Sequence, residues 1–228
     1  MTNMDTAQIL KKLKSLSNPE NIEGMARFGI APDKAFGIRK PELRKLAKEI
    51  PKNHNLALKL WVTGYLEARI IASLIDIPAE VTKKQMNDWA NDFDSWDVCD
   101  QCCINLFHKL PYADEMIRKW STSDKEYVKR AAFSLIAVIS VHDKKSDDTF
   151  FTKFFPLIKK ASTDKRNFVR KAVNWALRQI GKRNVKLNKE AIKLAREIIK
   201  LDSKTAKWIA SDALKELEGE NVNVRKEK

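Results

Sequence analysis

The sequence predicts an all-α protein, a right-handed α-α superhelix (α-solenoid) of HEAT-like repeats with a concave basic face. Three observations carry this. Apolar residues recur at helical spacing and nowhere alternate as in a strand. A ten-residue segment, Tyr127-Val-Lys-Arg-Ala-Ala-Phe-Ser-Leu-Ile136, matches Phe168-Val-Arg-Lys-Ala-Val-Asn-Trp-Ala-Leu177 position by position, 41 residues on. A period near 40 residues built from two helices is the mark of stacked helix pairs, because one pair cannot bury its apolar face alone. The third is that the six glycines and seven prolines of the 228 residues are scattered as punctuation, so no linker divides the chain. One repeat domain over 1–219 with a charged tail at 220–228 is expected.

The elements follow in order. Ile9, Leu13 and Leu16 place an amphipathic helix over 5–16, stopped at Ser17-Asn18-Pro19. A second is expected to contain Ile22 to Phe28. Pro41 suits a first helical turn, so the next helix runs over 41–50 and ends before Pro51. Residues 55–61 lead toward Gly64, residues 66–75 are apolar enough for an inner helix, and an outer helix is expected over 81–92. The next inner helix carries Phe93-Asp-Ser-Trp-Asp-Val-Cys-Asp-Gln-Cys-Cys103, where Trp96, Asp100, Cys103 and Phe107 share a face if the stretch is helical. The two matching segments each follow a Ser/Thr-Asp turn, Ser121-Thr-Ser-Asp124 and Ser162-Thr-Asp164, and Ser123 with Glu126 has capping-box spacing. A weaker copy spans 207–214.

Charge is distributed unevenly. Of the net +14, residues 1–112 hold 16 Lys/Arg against 14 Asp/Glu, while residues 113–228 hold 28 against 16. Basic residues interleaved with Trp, Phe and Leu on helices point to a polyanion, with nucleic acid ahead of an acidic protein or a membrane surface. The inner helices carry Arg69, Lys129, Arg130, Arg170, Lys171 and Arg178. The N-terminal residues lack a signal-like pattern and no apolar run is long enough for a membrane span, so a cytoplasmic protein with no membrane association is expected.

Several chemistries find no support. Cys99, Cys102 and Cys103 cannot form a disulfide framework, and the three histidines offer neither zinc-ligand spacing nor a catalytic partner; buried reduced thiols are expected. No phosphate loop, nucleophile elbow or His-Glu zinc motif occurs, and no cofactor or metal is implied. Trp61, Trp89, Trp120 and Trp208 read as core. Trp96, sharing a face with Asp100, and Trp175, between Arg170 and Arg178, are the aromatics placed to meet a sugar or base.

Taken together, Met25-Ala-Arg-Phe28, Phe36-Gly-Ile-Arg-Lys-Pro-Glu-Leu-Arg44, Ser95-Trp-Asp-Val-Cys-Asp100, Val128-Lys-Arg-Ala-Ala132 and Phe168-Val-Arg-Lys-Ala-Val-Asn-Trp-Ala-Leu-Arg178 resemble the DNA alkylation repair family, the AlkD-like HEAT-like alkylpurine DNA glycosylases, over about residues 20–215. The resemblance implies a monomeric, cofactor-independent, monofunctional glycosylase. Such an enzyme releases cationic N3- or N7-alkylpurines from double-stranded DNA without flipping the base into a pocket. It implies Asp100, Trp96 and Trp175 as catalytic residues and Arg130 as a phosphate holder; Lys129, Arg170, Lys171 and Arg178, on the basic inner helices, are expected as further DNA-binding residues. Phe28 stands where the family often has Tyr. The alternative is a non-catalytic repeat module that binds DNA or an acidic partner.

Overall fold

The computed structural model describes residues 4–30 and 32–219, and the charged tail expected at 220–228 lies outside them. Among the described residues every regular element is helical. The chain divides into two compact units at Tyr112/Ala113.

In the first unit, α1 (Thr6–Ser15) starts at Asp5, whose carboxylate and Gln8 form a reciprocal capping box, and it buries Ile9 and Leu13. Leu16, expected on that face, lies past the helix end and is exposed. The second helix, α2 (Pro19–Ala26), starts where Asn18 caps it and Pro19 fits its first turn, and it ends short of Phe28, a residue expected inside it. After a 3₁₀ turn at Pro32–Lys34 come α3 (Lys40–Glu49) and the pair α4 (His54–Val62) and α5 (Leu66–Ile75), the latter spanning the range the sequence indicates. Then α6 (Lys83–Asn91) precedes α7 (Trp96–Asn105). Helix α5 packs against α3, α4 and α7. Trp61 and Trp89 stack nearly parallel, 3.9 Å between centroids, and are buried as expected. Phe107 falls in a 3₁₀ turn beyond α7, so the predicted line of four residues along one helix stops at Cys103.

The second unit holds α8 (Ala113–Trp120), α9 (Glu126–His142), α10 (Asp148–Thr152), α11 (Phe155–Ala161), α12 (Asn167–Gly181), α13 (Val185–Ile198) and α14 (Lys204–Leu217). Outer helices α8, α11 and α13 pair with inner helices α9, α12 and α14, and α12 lies between α9 and α14. The two matching sequence segments are therefore the neighbouring inner helices α9 and α12. Tyr127 and Phe168, equivalent in the repeat, meet ring to ring at 5.5 Å.

Several polar ties between repeats run from a side chain to a backbone group. Glu126 accepts from the N–H of Phe168 (3.0 Å), Arg130 Nη1 donates to the Phe168 carbonyl (2.7 Å), and Asn174 Nδ2 donates to the Ile209 carbonyl (3.0 Å). Arg183 Nη1 donates to the carbonyls of Ser140 and Asp143, both at 2.7 Å. In the first unit Glu67, fully buried at the start of α5, accepts from the N–H groups of Phe36 (2.9 Å) and Ile38 (3.2 Å). The capping box expected of Ser123 and Glu126 does not form. Lys125 occupies the N-cap of α9, Ser123 Oγ accepts from the Lys125 N–H, and the Glu126 carboxylate has gone to α12 instead.

Candidate functional site

In the first unit the candidate residues are set by the start of α7. Ser95 caps the helix by accepting from the Val98 N–H (3.3 Å), which fixes Trp96 as the first helical residue and Asp100 one turn later on the same face. The indole Nε1 of Trp96 donates to the carbonyl of Phe28 (2.9 Å), so the ring orientation is tied to the segment after α2. Phe28 itself is 68% exposed. Beside these rings lies an open cleft of about 560 Å³, lined by the apolar groups of Met25, Phe28, Ile38, Pro41 and Trp96 with Arg39 and Lys40 among its polar members.

One wall of this cleft is formed by residues 37–41, the end of the loop before α3 and the first turn of that helix, and the loop is held on two sides. Glu67 binds two of its N–H groups, while Asn21 Nδ2 donates to the Gly37 carbonyl (2.8 Å) and the Asn18 N–H to that of Phe36 (2.8 Å). Gly37 is required here: its φ is +71°, and a Cβ would come within 2.3 Å of the Asn18 carbonyl oxygen.

Two carboxylates stand one turn apart on α7. Asp100 is 9% exposed. Asp97, more deeply buried, forms an ion pair with Lys40 of α3. Burial pushes the Asp97 carboxyl above its ordinary range, Lys40 pulls it back down, and the charge of Asp100 adds to the rise. The sequence reading missed Asp97 and Lys40, whose partnership spans 57 residues. The three cysteines on the same helix are buried, as expected, and burial raises the Cys102 thiol well above its usual value, which keeps it from acting as a thiolate. Among the described residues no group of three His, Cys, Asp or Glu side chains could hold a metal ion. No helix among them is long and apolar enough to cross a membrane.

In the second unit the basic candidates divide by what already holds them. Arg130, expected to grip a phosphate, is 6% exposed and commits Nη1 to the Phe168 carbonyl. Lys129 pairs with Asp164 (2.9 Å), which also accepts from Arg166 Nη2 (2.6 Å). Burial alone would raise Asp164, but these cationic donors hold it far below the ordinary carboxylate range. Arg178 pairs with Glu216 and approaches Asp212 (3.8 Å). Lys182 joins Glu216 at 2.6 Å. Arg69, in the first unit, is likewise engaged with Asp94 (3.1 Å) and the Asp92 carbonyl.

Two of the predicted cations remain presented to solvent. Lys171 is exposed, and Arg170 is half-buried with its guanidinium 4.8 Å from the Trp208 ring. Lys171, Trp175 and Arg178 follow one another along one face of α12. Trp175 is half-exposed, and with the Gln179 amide oxygen turned toward it, that oxygen accepts from Trp175 Nε1 (3.3 Å) and Lys182 Nζ (3.1 Å). Trp208 departs from expectation. It is 38% exposed, because α14 buries Ala206, Ile209, Ala210 and Ala213, a stripe that leaves position 208 outside it.

Comparison with known proteins gives one family: a DNA alkylation repair enzyme family matches residues 9–217. Among solved structures, the chain is similar to one described as "a new family of proteins related to the HEAT-like repeat DNA glycosylases with affinity for branched DNA structures". The likeness has a TM-score of 0.79 at 20% identity and covers 99% of each chain. That establishes a HEAT-like repeat fold. A designed armadillo repeat protein aligns over 75% of this chain and 72% of its own, at 16% identity and a TM-score of 0.38, too distant to argue from. No curated protein matches the sequence.

Proposed function

This chain belongs to the DNA alkylation repair enzyme family, and from that premise we propose that it is a monofunctional DNA glycosylase. It hydrolyses the N-glycosidic bond of cationic N3- or N7-alkylpurines in duplex DNA, without drawing the base into a pocket. The observation that carries the reading is Trp96, its indole tied to the Phe28 carbonyl, with the mostly buried carboxylate of Asp100 one turn along the same face.

The chemistry suits those groups. Alkylation leaves the purine positively charged, so the C1′–N bond breaks with its electron pair passing to the base, which departs neutral and needs no general acid. Positive charge develops on the deoxyribose, as in other glycoside cleavages with oxocarbenium-like transition states. The Asp100 carboxylate stabilises that charge and orients the water that adds to C1′, whose proton leaves to solvent. Trp96, on the same face as Asp100, offers a π face to the cationic sugar and excludes water, and Trp175 offers one to DNA from the second unit. Lys171 and Arg170 meet backbone phosphates directly. Lys129 and Arg178 reach DNA only by exchanging carboxylate partners for phosphate. Arg130 acts first as a positioning residue, holding the start of the helix that carries Arg170, Lys171 and Trp175.

A second reading, a DNA-binding module without excision, is favoured by the burial of Arg130, the cation expected beside the catalytic residues, and by its bond to the Phe168 carbonyl. The fold it shares with a protein family of branched-DNA affinity is also compatible with it. Release of 7-methylguanine from methylated duplex DNA decides between them. Wild type releases the base and Asp100→Asn loses most of the rate, on the order of 100-fold or more, as when a transition-state electrostatic partner is removed. Binding without release by wild type establishes the second reading.

A further inference from the structure

We propose that Trp208, held against Arg170, extends the DNA surface of the C-terminal unit into a site that takes an unpaired base. The inference rests on the reading of this chain as a DNA-binding protein and does not require the glycosylase chemistry. Trp208 is the large aromatic of α14 and is 38% exposed, whereas Trp61, Trp89 and Trp120 are buried. The Arg170 guanidinium lies 4.8 Å from its ring centroid, a cation–π pair that orients the indole. Of the five N–H donors of that guanidinium, Nη2 is bonded to Asn167 Oδ1 (3.1 Å), and the guanidinium forms no other hydrogen bond among the described residues.

The surroundings are cationic. Lys204 lies one turn before Trp208 on the same helix face, Lys207 adjoins it, and Lys171 follows Arg170; all three are exposed and have no ion-pair partner among the described residues. Two acids of α14 are already met from α12 and its C-cap: Arg178 approaches Asp212 and pairs with Glu216, and Lys182 pairs with Glu216, while exposed Asp202 precedes the helix. An aromatic ring open to solvent among unpaired cations matches the chemistry of single-stranded nucleic acid, where a base stacks on the ring and its phosphates meet Lys and Arg. A paired base in a duplex has both faces covered by its neighbours, so the ligand class is an unpaired base: a flap, fork arm or strand end.

The test compares a labelled 25-base-pair duplex with the same duplex carrying a ten-nucleotide unpaired arm, by fluorescence anisotropy at fixed salt. Stacking of one base on an aromatic side chain is worth about 1–3 kcal/mol, so wild type prefers the armed duplex by roughly 5- to 150-fold. Trp208→Leu, apolar and helix-favouring but without a π face, abolishes most of that preference, and Trp208→Phe retains most of it. Equal affinity of wild type for the two DNAs overturns the proposal, as does a Trp208→Leu variant with an undiminished preference or one that weakens on both DNAs by the same factor. Base release from methylated duplex is measured in parallel. A preference for the armed duplex without release leaves this site standing and removes the glycosylase reading; release without preference does the reverse.

Discussion

Replacing Glu67 by Ala removes the acceptor of two backbone N–H groups at once. The Ile38 bond is buried and the Phe36 bond half-buried. An orphaned buried donor costs about 1–3 kcal/mol; taking the upper part of that range for Ile38 and the lower part for Phe36 gives a loss of about 3–5 kcal/mol. For a chain of this size each kcal/mol moves the melting temperature by roughly 2–4 °C, so the midpoint falls by about 6–20 °C. Glu67→Gln keeps one carbonyl acceptor and loses about half as much. Thermal unfolding followed by tryptophan fluorescence reports this directly, since Trp61, Trp89 and Trp96 all lie in the same unit as Glu67. A Glu67→Ala protein melting within about 2 °C of wild type refutes the reasoning, because the loop 36–38 would then find its bonds elsewhere. So does a Gln variant no better than the Ala variant.

Two further outcomes follow from the ion pairs. Lys171→Ala weakens duplex binding and lowers the magnitude of the log–log salt slope by about 1, the signature of one lost phosphate contact. Arg178→Ala leaves the slope closer to wild type while lowering thermal stability, since it breaks the pair with Glu216. Equal slopes for wild type and Lys171→Ala would remove that lysine from the DNA face. The depressed Asp164 carboxyl makes the second unit acid-sensitive: a carboxylate with a folded pKa below its unfolded value stabilises the fold above about pH 4 and loses that contribution as pH falls further. Melting temperature against pH should therefore fall less steeply between about pH 5 and 2 for Asp164→Asn than for wild type, and parallel profiles would contradict the assignment.

What the sequence discloses here is what short-range chemistry decides. Pro41 and Pro51 bracket α3, the apolar run 66–75 becomes α5, and the repeat at 127 and 168 becomes adjacent inner helices, because each of these is set within a few turns of chain. The placement of Trp96 and Asp100 on one helix face was legible for the same reason. Partners distant in sequence were not. Nothing near Glu126 announces that its carboxylate serves Phe168, 42 residues on, in preference to a local cap, and nothing near Asp97 points to Lys40. Trp208 is the case where a signal was present. The small residues Ala206, Ala210 and Ala213 trace the buried stripe of α14, and position 208 falls off it.

The ties between repeats have a consequence for how freely this chain can change. Glu67, Glu126, Arg130, Asn174 and Arg183 each bind a main-chain group, and every residue type but proline offers the same N–H and every type the same C=O. The receiving segment can therefore exchange its side chains without loosening the joint, and only the reaching residue is specified. One half of each contact is invisible to substitution. An architecture fastened in this way can drift far in sequence while its helices keep their places, and the side chains so released are available to be chosen for what they meet outside the protein.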